Sequence, residues 1–371
     1  MSINSIRLDW LDNLRWFTVL LVLVYHVFYF FNNKGVFGGV GGFVEDPKGQ
    51  PQDVVMYILY PWFMLLLFLV AGISAKYALE RQSHKEFIAS RTRKLLVPAT
   101  IGLFVFHWMT GYFNTHVAGN DVLLNVQQPV KFFIWAVSGT GPLWFVQDLW
   151  LFSLLLVLVR LIDRQDRCWQ WCGKIRWWGV LLLGVLIFVG QQALIMHPRP
   201  ETPDGLYNLY KPVTYFVPFV LGYFFFSHEK VQKEVAKMHL PMLGAAVLAG
   251  IALIASTWGE NNTTPQYLSS ILNNLYAWLM MLAMLGCFKV WFDKTNPFAA
   301  YMTRSSYGIY VVHYLVIASL GYMMKVYTHL PPFAIYAILL VAVLVLSPAI
   351  YELLHRIPFV RWCVFGEKKN R

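Results

Sequence analysis

Two ionisable residues interrupt the apolar stretch 11–31, "LDNLRWFTVLLVLVYHVFYFF": Arg15 and His26, with nothing charged between them. An ionisable group inside a bilayer costs a few kcal/mol on insertion scales, so such groups are rare and tend to be functional. Eleven positions at about 100° each return to within about 20° of the same helical stripe, about 16 Å further along the axis. Val19 and Val22 lie between them on that stripe. With Arg15 at the interface, His26 reaches the bilayer midplane. An imidazole there titrates near neutral pH and suits a general base. Asp12, three residues before Arg15, is spaced to pair with its guanidinium. Singly, Arg15 also fits a snorkelling anchor and His26 an interhelical hydrogen bond. Their shared stripe is what favours chemistry.

Three further groups have the right types. His313 lies roughly nine residues into a late apolar segment, at a depth similar to His26, with Ser306 on its face and Tyr307 and Tyr310 flanking it, Tyr310 as a candidate acceptor contact. It is a candidate for proton transfer, acceptor binding or helix pairing; His107 is a lesser candidate of the same kind. Arg91, Arg93 and Lys94 precede another apolar segment. Guanidinium groups bind phosphate oxygens in paired geometry, so this cluster suits a phosphorylated donor; a topogenic charge cluster has the same look. Trp144 and Asp148 sit one turn apart near the start of a further segment, beside Gln147. An aromatic ring over a carboxylate and an amide makes a sugar platform, although interfacial tryptophans are also ordinary membrane anchors. Cys168 and Cys172 lack a second pair at metal-ligand spacing, and the chemistry sketched here needs no metal.

The elements that must hold these residues are membrane helices. The 371 residues are 58% hydrophobic and 13% charged, with mean hydropathy +0.51, whereas a soluble domain carries about twice that charge fraction. Apolar runs near 20 residues, enough to cross about 30 Å of hydrocarbon, recur throughout. Ten spans are expected: 13–31, 54–76, 95–115, 143–161, 178–196, 212–227, 240–257, 267–289, 305–324 and 333–354. The run 129–137 is too short to span and is expected to lie in the interface or re-enter. With the N-terminus inside, 24 Lys and Arg fall on the cytoplasmic side and 6 outside, a strong positive-inside pattern. The formal net charge of +11 then faces anionic lipid and needs no nucleic-acid partner. The expectation is an all-α integral membrane protein forming one domain over 1–371, with about ten helices and both termini cytoplasmic.

The segment "LDNLRWFTVLLVLVYH" resembles the first span of the membrane-bound acyltransferase family 3, whose hallmark is Arg, ten residues, His. Other stretches are similar in the family's order: "FLVAGISAKYAL" (68–79), "SRTRKLLVPAT" (90–100), "PLWFVQDLW" (142–150) and "SSYGIYVVHYLV" (305–316). The "LDNLR" start and compact length resemble the branch that includes the succinyl-transferring glucan biosynthesis protein C. The resemblance implies transfer of an acyl group, usually acetyl, from acyl-coenzyme A to a hydroxyl on a glycan or lipid-linked sugar. It implies His26 as the essential histidine and Arg15 as the essential arginine, with His26 either taking the hydroxyl proton or carrying the acyl group. It raises Arg93 most among the basic residues, and the expected setting is a bacterial cytoplasmic membrane. A transporter of a lipid-linked glycan and a non-catalytic relative of the fold are the rival readings.

Overall fold

The computed structural model describes residues 8–30, 51–117, 123, 125–196 and 210–368, and among them no strand occurs. The helices in chain order are α1 (Asp9–Phe30), α2 (Val54–Leu59), α3 (Phe63–Leu79), α4 (His84–Arg91), α5 (Trp108–Val117), α6 (Gln128–Ser138), α7 (Trp144–Ile162), α8 (Arg167–Cys172), α9 (Trp177–Leu182), α10 (Gly184–Met196), α11 (Pro212–Leu221), α12 (Glu229–Lys237), α13 (His239–Thr257), α14 (Pro265–Ser269), α15 (Ile271–Trp291), α16 (Pro297–Tyr327), α17 (Pro332–His355) and α18 (Pro358–Phe365). The protein is an all-α integral membrane protein. Among the described residues, eight helices are long and apolar enough to cross a bilayer. The sixth expected span is the shorter apolar helix Pro212–Phe226. The third is helical but loosened by π turns at Thr92–Leu96 and Leu103–His107. The expected outer loops 32–53 and 197–211 fall almost wholly outside the described residues.

Local sequence explains the ends of the helices that matter most. Asp9 and Asp12 occupy the first turn of α1, where carboxylates favour the positive end of the helix dipole. Asn296 caps α16 by accepting from the Ala299 amide at 2.8 Å, and Pro297 follows at the first helical position, both standard start signals. That start lies eight residues before the expected span at 305. At about 1.5 Å per residue, the 31 residues of α16 exceed the hydrocarbon thickness by roughly half. Its first turns therefore extend past the apolar layer.

Helix α1 sits inside the bundle, packed against α2, α3, α15, α16 and α17. Its start is fastened rather than merely packed. Asn13, buried, donates from Nδ2 to the carbonyls of Phe292 (2.7 Å) and Lys294 (2.8 Å), and the Trp10 amide donates to Asp293 at 3.3 Å. The α15–α16 connection thus holds the base of the helix that carries Arg15 and His26. A second close contact involves the Gly72 of "FLVAGISAKYAL". A Cβ there would lie 2.0 Å from the Phe219 carbonyl, and one on Gly222 would lie 2.0 Å from that of Leu69. Helix α3 and the segment 212–226 therefore touch backbone to backbone, an approach only small residues allow.

The short run expected to lie in the interface is α6, packed on α5, with Val130, Phe132, Phe133 and Val137 exposed. A cation at the end of α3 is also accounted for. Lys76, 2% exposed, pairs with Asp166 (3.1 Å) and Glu80 (3.3 Å) and lies 4.0 Å above the Trp169 ring. Arg160 joins the same carboxylate at 3.0 Å. This network, around the buried Lys76, ties α3 and α7 to the loop before α8.

Candidate active site

His26 and His313 meet. Helices α1 and α16 bring their rings to 5.1 Å between centroids, with His313 Nε2 3.1 Å from His26 Nδ1. His313 is fully buried, and its Nδ1 faces the Tyr310 carbonyl at 2.5 Å. A carbonyl only accepts, so Nδ1 carries the proton and Nε2 presents its lone pair. His26 Nδ1 faces the Val22 carbonyl at 2.9 Å as well as that lone pair. Both partners are acceptors, so His26 Nδ1 is protonated and shared between them. The proton-free nitrogen is then His26 Nε2, for which the described residues offer no hydrogen-bond partner. The hydrogen-bond pattern thus assigns one tautomer to each ring, with the free lone pair on the partly buried His26.

An aromatic wall surrounds the His26 ring. Tyr314 meets the His26 ring edge-on at 5.3 Å, Tyr25 at 5.5 Å and Tyr29 at 6.1 Å. Tyr310, expected to contact an acceptor, is buried, and its hydroxyl donates to the Pro142 carbonyl. Its carbonyl holds His313. In this geometry Tyr310 anchors the histidine and ties α16 to the turn before α7.

Arg15 pairs with Asp12 at 2.9 Å, as their spacing predicts, and its side chain keeps 40% of its surface. It lies in the same electrostatic neighbourhood as Arg91 and Lys94. Burial, and then the charge of Arg15, push the Arg91 guanidinium down to about 10. Burial lowers the Lys94 ammonium too, followed by Arg91, Arg93 and Arg15. Arg91 lies 5.0 Å over the Phe87 ring, and Arg93 donates from Nε to the Gly366 carbonyl at 3.3 Å. Among the described residues, no carboxylate lies within ion-pair distance of Arg91, Arg93 or Lys94. The cations Arg15, Arg91, Arg93 and Lys94 therefore interact with one another, with Asp12 paired to Arg15 and the Glu367 charge also acting on Lys94. The wide turn Thr92–Leu96 that carries Arg93 and Lys94 is braced by Tyr307, which donates to the Lys94 carbonyl at 2.6 Å.

Trp144 and Asp148 do share a face of α7, but not as an open platform. The Trp144 ring packs 5.0 Å from Tyr215 and 6.2 Å from Phe68. Gln147 links Ala99, to whose carbonyl it donates at 3.1 Å, and Tyr210, whose hydroxyl it accepts at 2.5 Å. Asp148 is 4% exposed, and its Oδ2 is buried without a partner. His107 is buried, with its Nε2 unpartnered as well. Among the described residues, no group of three or more His, Cys, Asp or Glu is arranged to hold a metal ion.

Sequence reasoning missed Asn13, Tyr314 and Gly366. Asn13 carried a signal, since a buried amide beside a span start needs partners. Gly366, at φ +62°, lies against the backbone of Arg93 and Lys94, where a Cβ would approach the Arg93 carbonyl to 2.2 Å.

No curated protein and no solved structure matches the chain. A family model described as an acyltransferase domain matches residues 8–352, from the turn before α1 almost to the end of α17, taking in Arg15, His26, the basic cluster and His313. The chain belongs to acyltransferase family 3 and is a multi-pass membrane acyltransferase.

Proposed function

We propose that the protein moves a short acyl group, acetyl in the first instance, from acyl-coenzyme A to a hydroxyl of a glycan or lipid-linked sugar in the bacterial cytoplasmic membrane. The observation that carries this reading is the His26–His313 pair, whose hydrogen bonds leave His26 Nε2 as the free base. The acceptor hydroxyl gives its proton to His26 Nε2 as its oxygen attacks the thioester carbonyl carbon. The carbon–sulfur bond then breaks, and the imidazolium returns the proton to the coenzyme A thiolate. His313 is the positioning residue: it shares the Nδ1 proton and keeps the free lone pair on the reacting side.

The basic cluster suits the donor's phosphates. Cations that outnumber the carboxylates beside them, one of them lowered to about 10, gain when a phosphate dianion arrives. Arg93 is partly committed to Gly366, so Arg91 and Arg15 carry most of this attraction, with Lys94 at the exposed edge. A donor seated there lies on the cytoplasmic side of the expected topology, about 16 Å from His26 by helical rise. The branch-level likeness at "LDNLR" makes succinyl the second donor group to test.

The test uses purified protein in lipid, labelled acetyl-coenzyme A and a panel of glycan acceptors. A positioned general base contributes about 10²- to 10⁴-fold, so His26→Ala should lose at least that much transfer while remaining inserted and folded. A folded His26→Ala protein that turns over near the wild-type rate would remove His26 from the mechanism.

A further inference from the structure

A second set of buried polar atoms converges away from the histidine pair. A small pocket between α10, α11 and the turn before α3 is lined by Tyr60, Gln191, Lys211, Thr214 and Tyr215 on its polar side. Gln191 and Thr214 are each 3% exposed, and Gln191 Oε1 and Thr214 Oγ1 are buried without a hydrogen-bond partner. The adjacent Gln192 shows the contrast. It donates to the carbonyls of Ser269 at 2.9 Å and Phe188 at 3.3 Å. A buried polar atom left unpaired costs about 1–3 kcal/mol, so two lining one pocket point to an absent polar group. The space fits a group about the size of a water, which makes it an anchor for one substituent and not a cradle for a whole sugar.

The cation defines which substituent. Lys211 lines the pocket in the left-handed conformation, φ +46°, sparsely populated for a residue with a Cβ. No carboxylate lines the pocket among the described residues, and no ion pair engages Lys211 there. A lysine among the lining residues favours an anionic substituent, to whose oxygen the unpartnered Thr214 hydroxyl can donate. The pocket also connects to the site. Tyr60 stacks on Tyr25 at 5.5 Å with 14° between planes, and Tyr25 neighbours His26. Two aromatic rings separate the anchor from the imidazole, so the anchored group is not the one acylated.

We propose that this pocket takes in one oxygen of an anionic substituent of the acceptor, so that the acceptor is a phosphorylated or acidic saccharide and not a neutral one. This deepens the acyltransfer reading and rests on it for the word acceptor. The experiment separates the two. Full-length protein in phosphatidylcholine nanodiscs, saturated with coenzyme A to occupy the basic cluster, is titrated with glucose, glucose 1-phosphate and glucuronate. The charged sugars should bind at least about tenfold more tightly than glucose, the range of one charge-assisted hydrogen bond. Lys211→Gln should erase that preference, and the shape-preserving Thr214→Val should weaken all three sugars. Equal affinity for charged and neutral sugars, a preference that survives Lys211→Gln, or a Thr214→Val protein unchanged toward every sugar would overturn the proposal. Exchanging phosphatidylcholine for phosphatidylglycerol distinguishes the source of the anion. If the lipid alone abolishes glucose 1-phosphate binding, the pocket holds a headgroup and the proposal fails. Failure of coenzyme A to bind at all would count against the donor reading and leave the sugar preference to be judged separately.

Discussion

Replacing His313 separates a base from its support. In the structure His313 Nε2 is one of two acceptors for the His26 Nδ1 proton, at 3.1 Å, and the Val22 carbonyl is the other, at 2.9 Å. His313→Ala removes the first and keeps the second, so the tautomer of His26 survives and only its orientation loosens. One such hydrogen bond is worth about 0.5–1.5 kcal/mol net, which corresponds to a loss of roughly 2- to 13-fold in kcat. His26→Ala should lose about 10²- to 10⁴-fold. His313→Gln places an amide near the lost Nε2 and should recover most of the difference. The KM for acyl-coenzyme A should stay level in both variants, because the proposed phosphate site lies at the other end of α1. The assay is transfer from labelled acetyl-coenzyme A, normalised to folded protein by thermal melting. A His313→Ala loss as large as that of His26→Ala, without rescue by Gln, would refute the tautomer assignment and make His313 the base.

Arg91→Ala should weaken coenzyme A binding roughly 10- to 150-fold by calorimetric titration, the range of one charged hydrogen bond of about 1.5–3 kcal/mol, and Arg91→Lys should recover only part because it lacks the forked geometry; an unchanged Kd returns the cluster to a purely topogenic role. Gly366→Val should lower both coenzyme A affinity and melting temperature, since its side chain would displace the Arg93–Lys94 backbone; normal affinity would show that the carboxyl-terminal segment does not shape the cluster. Burial raises the Cys172 thiol to about 11, while Cys168 is exposed, so a membrane-impermeant maleimide at pH 7 should modify Cys168 first and only from the cytoplasmic side. Fast labelling from the opposite side would break the expected topology.

The sequence revealed the parts of the site that lie within one helix and concealed those that join two. Arg15 and Asp12 are three residues apart, so their pairing follows from helical geometry. His26 and His313 are 287 residues apart, and no periodicity links them: His26 stands out by the stripe it shares with Arg15 and His313 by its depth in an apolar run, and neither signal pairs the two. Asn13 holds α1 through backbone carbonyls of 292 and 294, and carbonyls carry no residue code. The early start of α16 was legible in Asn296–Pro297, a cap followed by a first-turn proline, but hydropathy averaged it away. The π turns near Arg93 and His107 were beyond reach, because a change of helical register leaves composition untouched.

The distance in chain between the two histidines also governs when the enzyme comes into being. During synthesis α1 enters the membrane first, carrying His26, while His313 is still untranslated. The ring that shares its proton arrives only on the penultimate long helix, and the carbonyls that fasten Asn13 arrive just before it. A nascent chain therefore passes most of its insertion with the His26 proton held by the Val22 carbonyl alone. Co-expressed fragments divided between α15 and α16 should each be inert and regain transfer only on association.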